Sequence, residues 1–154
     1  MVRSSVGTKL YLGVMAIFLL FAVSFIVFQH DREKRYKIDV LDTRLQDYNE
    51  RMAEVLAMNR NMTEKAIDAY VKDHYEPDMR VTVIDMKGRV IFDNKYKDYA
   101  RLENHLGRDE VRQALRQGSG YDIDRKSSTM GQSYFYSATS FPRQRFIIRT
   151  ALPY

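Results

Sequence analysis

The run Leu10 to Phe28, LYLGVMAIFLLFAVSFIVF, is 19 residues long and holds no charged side chain. As a helix it reaches about 28 Å, close to the roughly 30 Å hydrocarbon core of a bilayer. The reading is a membrane-spanning helix over residues 10–28, preceded by a short tail over residues 1–9. The competing reading is a cleaved signal peptide. Such a peptide has an apolar region of about 7–15 residues that ends at a small-residue cleavage site. Ala22-Val23-Ser24 has the small-x-small form, but Phe25-Ile26-Val27-Phe28 continues the apolar run beyond it. An uncleaved anchor fits better.

Orientation is set by the flanks. Arg3, Lys9 and the amino terminus stand before the run with no acid to offset them, which suits a cytoplasmic N-terminus. Arg32, Lys34, Arg35 and Lys37 come after it and argue the other way, but long domains translocate largely regardless of charge. The expectation is a single-pass protein of the inner (cytoplasmic) membrane, its N-terminus inside and the remainder periplasmic.

The remainder is polar. The chain carries 25 Lys and Arg against 20 Asp and Glu, and the two signs are interspersed. No basic face stands out, so no nucleic-acid partner is expected. The absence of cysteine excludes disulfides, thiolate metal sites and a cysteine nucleophile. His30, His74 and His105 lack metal-ligand spacing, so no metal site is expected.

After the anchor, Ile38, Leu41, Leu45, Tyr48, Met52 and Val55 recur in alternating steps of three and four, and Asn59 and Met62 continue the register. This is an a/d seam of about three heptads with charged residues on the other faces. No Gly or Pro interrupts residues 29–76, so the simplest form is one long helix, with a stalk over residues 29–61. The seam needs a cover. It packs on the chain's own globular domain or on a second copy, and a lone seam on an anchored helix favours a parallel homodimer. Asn61-Met62-Thr63-Glu64 reads as a helix start with Asn61 as N-cap and Glu64 at N3. Ala66, Ile67, Tyr70, Val71 and His74 then line one face of a second helix or of a kinked continuation.

Residues 80–154 carry strand signals. Arg80 to Asp85 and Val90 to Asp93 form a hairpin around Gly88. Asp109 to Gln117 has helical spacing at Val111, Ala114 and Leu115, and Gly118 and Gly120 stop it. Three strand segments come next: Tyr121 to Lys126, Ser133 to Phe141, and Phe146 to Leu152. Tyr134, Tyr136 and Ala138 share one face of the second, and Phe146, Ile148, Thr150 and Leu152 one face of the third. The expected class is α+β: the membrane helix continuing into a stalk, then a five-stranded antiparallel sheet with helices packed on it, residues 62–154 forming the domain. About 75 residues of sheet make a marginal core alone, and the amphipathic helix before it is the obvious cover.

The ordered set RVTVIDMKGRVIFDN, then LENHLGRDEVRQALRQGSGYDIDRKSSTMGQSYFYSATSF, then IIRTALPY resembles the extracytoplasmic sensor region of PhoR-like bacterial two-component histidine kinases, Bacteroides-type members above all. Asp109 stands where that family often has proline. The resemblance implies a PAS-like or single-Cache domain. It also implies a signal-sensing input module that passes ligand or partner binding across the membrane through dimeric helices. The second span, the phosphoacceptor histidine and the ATP-binding motifs of such kinases do not occur here. The chain therefore reads as the N-terminal piece of a kinase, without catalytic activity of its own. ATP, Mg and a response regulator are expected only for the kinase core, and no cofactor for this chain.

The resemblance further implies a ligand pocket on one sheet face, for a small ligand unless the domain contacts a membrane protein instead. Arg125, Tyr134, Tyr136 and Arg149 are its candidate liners. An arginine pair can clamp a carboxylate or phosphate; the bland alternative places both arginines in solvent. Asn104-His105 invites a catalytic reading, but no nucleophile with an orienting partner accompanies it, and a loop that caps the helix or packs under the sheet fits better. Asp85 and Asp93 read as turn formers. The competing function is a membrane-anchored structural or assembly module that recruits partners through its coiled-coil stalk.

Overall fold

The computed structural model describes residues 5–58, 63–126 and 133–154, with the side chains of residues 124–126 left out. The chain divides into two compact units, Met1–Val40 and Leu41–Tyr154.

The first unit is helical from Val6 onward, the beginning of helix α1 (Val6–Met58). Its apolar side chains are exposed on every side, Leu10, Phe18, Leu20 and Phe21 among them. The most apolar window of this helix has a mean hydropathy of 2.7 and nothing in it is buried. A helix that is hydrophobic all round needs an apolar surrounding. Among the described residues, this is the one helix long and apolar enough to cross a membrane.

The second unit begins in the same helix and continues through α2 (Glu64–Asp73), β1 (Arg80–Asp85), β2 (Val90–Asp93), a 3-10 turn (Tyr99–Arg101), α3 (Asp109–Gln117), β3 (Ser119–Lys126), β4 (Ser133–Phe141) and β5 (Phe146–Pro153). The five strands form one sheet in the order β2-β1-β5-β4-β3, every neighbour antiparallel. The class is therefore the expected α+β, and β1, β2, β4 and α3 occupy the segments that their sequence patterns mark. β3 starts two residues earlier than its alternation suggests. Gly118 closes α3 at φ 96°, a left-handed cap that glycine adopts without a Cβ penalty, and the chain enters the strand at once.

Directly opposed residues of an antiparallel pair share a face. The register therefore sorts the sheet into two sides. Val81, Val83, Phe92, Phe135, Ser137, Thr139, Ile148 and Thr150 lie on one, and Arg80, Thr82, Ile84, Asp93, Tyr134, Tyr136, Ala138, Ile147, Arg149 and Ala151 on the other. The second side carries α3, whose Val111 and Ala114 pack with Ile84, Ala138 and Ile147. The first side carries α1 from Leu41 onward, fixed by hydrogen bonds from Ser137 Oγ to Asp42 (2.7 Å) and from Asn49 Nδ2 to Thr139 Oγ1 (3.1 Å). α2 joins α1 through an edge-on contact of Tyr70 with Tyr48, centroids 5.9 Å apart, and the Arg44–Glu76 ion pair lies nearby at 2.6 Å.

This packing changes the reading of the a/d seam. Leu45, Tyr48 and Met52 are buried within their own chain, Ile38 and Leu41 are half-buried, and Val55 is 38% exposed while its neighbour Leu56 is 2% exposed. The buried set Leu45, Tyr48, Asn49, Met52, Ala53 and Leu56 is a wide stripe of steps 3-1-3-1-3, the pattern of a helix lying on a core rather than a two-helix seam. A straight helix drifts about 20° per heptad from a strict 3.5-residue repeat. Two heptads on, the stripe has moved from Val55 to Leu56. The one-helix form over 29–76 is also corrected. α1 is described to Met58, and α2 opens on Thr63, whose Oγ1 accepts from the Ala66 amide (3.3 Å). Thr63, not Asn61, is the cap of this helix; Asn59, Asn61 and Met62 lie outside the described residues.

A chain beginning at Arg80 loses every helical residue that covers Val83, Phe135 and Ile148. It should show no cooperative melt by circular dichroism, whereas residues 41–154 should melt as one unit; equal melts would show that the sheet stands without α1 and α2.

Candidate functional site

The side of the sheet that carries α3 is unusually rich in buried charge. β5 delivers Arg149, β1 delivers Arg80 and Thr82, β4 delivers Tyr134 and Tyr136, and β2 ends on Asp93. All are buried. Alternation along the strands brings them together: Ala138, Arg149, Thr82 and Asp93 form one row across four strands, and Tyr136, Ala151 and Arg80 form the next.

Two ion pairs organise the face. Arg149 Nε donates to Glu110 Oε1 at 2.7 Å, and the Arg149 guanidinium lies 4.0 Å from the centre of the Tyr136 ring. Arg80 contacts Asp93 Oδ2 through both Nε and Nη2 at 2.9 Å, and Thr82 Oγ1 donates to the same oxygen. Asp93 Oδ1 accepts from the amides of Lys95 and Tyr96. Asp93 is thus both the turn former that the sequence suggests and a buried counter-charge. Asp85 is a turn former whose Oδ1 accepts from the amides of Lys87 and Arg89 and whose Oδ2 pairs with the Arg89 guanidinium at 3.0 Å.

The loop before α3 closes one end of the face. Gly88 sits at φ 82°, and a Cβ there would overlap the side chains of Asn104 and Leu106. That close approach lets the His105 amide donate to Gly88 O (2.9 Å) and Asn104 Nδ2 to Lys87 O (2.7 Å). His105 is only 5% exposed, and its Nδ1 lies 2.6 Å from the Glu103 carbonyl, an acceptor, so Nδ1 carries the proton. Burial, reinforced by Arg149, pushes the imidazole down to about 4. His105 is therefore neutral at ordinary pH and buried.

Of the four candidate liners, the structure brings Tyr134, Tyr136 and Arg149 onto one face. The two tyrosine rings are 6.1 Å apart. The alternative that places Arg149 in solvent fails, since Arg149 is 3% exposed. Arg125 pairs with Tyr134 along the β3–β4 ladder, and its side chain lies outside the described residues. Arg80, Asp93, His105 and Glu110 complete the face, and the sequence pattern does not mark them as liners. Glu110 had a signal: it lies four residues before Ala114, on the buried stripe of α3.

Buried ion pairs contribute little net stability, because desolvation offsets the attraction, but breaking one is expensive. Glu110→Gln removes the carboxylate to which Arg149 Nε donates and should cost about 3–5 kcal/mol. The paired change Glu110→Leu/Arg149→Met should cost clearly less in the same denaturant titration. His105 adds a pH dependence. Unfolded, it protonates near pH 6.5; folded, only near 4. Between those values the unfolded chain binds more protons, so stability falls as pH drops through that window and is level above it. His105→Gln should flatten that part of the stability profile.

No family model matches the chain, and no curated protein matches it. Eight solved chains match by structure. The Bacillus subtilis YkuI protein, which carries an EAL domain and was solved with c-di-GMP and calcium, aligns with a TM-score of 0.56 at 12% identity, over 82% of this chain and 35% of its own. A Cache chemosensory domain described for carboxylic acid recognition aligns with a TM-score of 0.51 at 12% identity, over 79% and 94%. The extracellular domain of a proposed histidine kinase, rpHK1S-Z16, aligns with a TM-score of 0.47 at 13% identity, over 60% of this chain, which spans 38% of that solved domain. The fold of the second unit is Cache-like.

Proposed function

We propose that the chain is the extracytoplasmic input module of a membrane-bound two-component sensor histidine kinase, of the PhoR-like, Bacteroides type that its sequence resembles. One observation carries the reading. A single polypeptide joins a membrane-length apolar helix to a Cache-like sheet, and one face of that sheet buries Arg149, Tyr136, Tyr134 and Glu110 together. The fold neighbour described for carboxylic acid recognition supports a small ligand, which we place on this face. Arg149 and Tyr136 are the liners with the chemistry to hold an anion, and Arg125 is the fourth.

In this reading the apolar helix spans the inner membrane with its N-terminus inside and the sheet periplasmic. The module is a homodimer. Leu45, Tyr48 and Met52 are engaged inside each copy, so the copies meet through Ile38 and Leu41 and through the small residues Gly13 and Ala16 of the span. The kinase core, with its ATP, Mg and response regulator, receives the signal from α1.

A hybrid kinase with residues 1–154 as its input region tests this in membrane vesicles. Glu110→Leu/Arg149→Met should change autophosphorylation severalfold, and protease added to spheroplasts should remove the sheet domain. Output indifferent to every substitution on that face, with the protein folded and inserted, would favour the assembly module instead.

A further inference from the structure

Strand β4 presents a different chemistry on each side of the sheet. Tyr136 meets Arg149, and Ala138 packs against Val111 and Ala114 of α3. Ser137 and Thr139 point the other way, and both bond to α1: Ser137 Oγ to Asp42 Oδ1 at 2.7 Å, and Thr139 Oγ1 from Asn49 Nδ2 at 3.1 Å. Ser137, Thr139 and Asn49 are all buried. The rest of the α1 stripe is chiefly apolar. Apolar burial is non-directional and tolerates sliding, whereas a hydrogen bond holds only within narrow limits of distance and angle. These two bonds therefore set where α1 rests on β4.

The same interface holds a polar imbalance. Among the described residues, the buried side-chain atoms without a hydrogen-bond partner are Asn49 Oδ1 and Thr150 Oγ1. Thr150 pairs with Ser137 across the β4–β5 ladder, so both atoms lie on the α1 side. Turning the Asn49 amide over exchanges its oxygen for its nitrogen and still leaves one atom unsatisfied. Asn49 and Thr150 thus place further hydrogen-bonding groups at the interface that the two bonds align.

We propose that β4 couples the two sides of the sheet, with Asp42 and Asn49 as positioning residues: a change at Tyr136 and Arg149 moves Ser137 and Thr139, and through them the register of α1. The proposal rests on the reading of the Tyr136–Arg149 face as the ligand face, and it supplies the route by which that face is read out. α1 is continuous from Val6 to Met58, so the helix held by these bonds is also the one that carries the apolar span.

Hydrogen exchange on the full chain in phospholipid nanodiscs tests the coupling without a ligand. Tyr136→Ala perturbs one face, with Tyr136→Phe as a milder second variant. Asn49→Leu, Ser137→Ala and Thr139→Val together remove the hydrogen-bonding partners on the other. Exchange at the amides of residues 41–56 should rise severalfold with Tyr136→Ala while the partners are present and stay level once they are removed, the amides of β1 and β5 reporting intact folding. Where Tyr136→Ala unfolds β1 and β5, Tyr136→Phe is read in the same way. An equal rise in both backgrounds, or a response of α3 without α1, overturns the coupling. The hybrid kinase separates this from the sensor reading. Output that tracks Glu110→Leu/Arg149→Met equally with and without the three substitutions overturns the coupling and leaves the sensor. Intact exchange coupling beside an output indifferent to that face overturns the sensor and leaves the coupling.

Discussion

Strand β5 is buried from Phe146 to Leu152, and the rest of the domain is shaped by the need to cover both its sides. With β1 on one edge and β4 on the other, it forms the middle of a sheet whose inner strands are buried on both faces except at their ends. One side is covered by segments that lie between the strands in sequence: α3 and the loop held on Gly88. On the other side Tyr99 meets Phe92, and Tyr121 and Tyr154 meet Phe135. The rest of the cover comes from upstream, from α1 beyond Leu41 and from α2. That requirement, more than any preference of α1 itself, decides which of its residues are core.

The two sides obey different rules. The side under α1 and α2 is largely aliphatic and aromatic and holds the packing. The side under α3 buries two arginines and two carboxylates. Replacing such pairs with apolar groups is commonly neutral or stabilising, so stability does not account for them. Charged groups gathered on one buried face, around a histidine held neutral by burial and by Arg149, mark it as the candidate site. The cluster lies behind the loop anchored on Gly88, which positions His105 and begins α3.

Much of this was legible in the sequence, for stated reasons. β-Branched runs on either side of the Gly88 turn marked β1 and β2, and the facing sets Tyr134/Tyr136/Ala138 and Phe146/Ile148/Thr150/Leu152 marked β4 and β5 by their period of two. The family resemblance, not alternation, is what puts Arg149 with the tyrosines. What the pattern could not name was the partner of the α1 seam. A stripe of steps three and four fits a second helix or a sheet almost equally well over three heptads, and only the shift from Val55 to Leu56 separates them. The end of α1 was hidden because no Gly or Pro marks it. Glu110 was hidden because an acid in the first turn of a helix already has a reason to be there, the helix dipole. Arg80 was hidden because it opens a strand, where a charge is ordinary.

The same degeneracy bears on what α1 does. Its apolar residues change their role along one continuous helix: all round in Leu10–Phe28, a single stripe from Leu45 onward. A stripe of Leu, Met, Ala and Tyr would hold a helix on a sheet without choosing a register, since any shift that keeps the stripe inward buries nearly the same area. Asn49 within that stripe, at 0% exposure, is costly by comparison with a leucine and gains nothing from burial alone. Its bond to Thr139, like that of Asp42 to Ser137, selects one position among several that packing would accept. A hydrogen-bonded polar residue at a core position where an apolar one would pack as well restricts register in a way that packing does not, and here the register is that of the helix that also carries the apolar span.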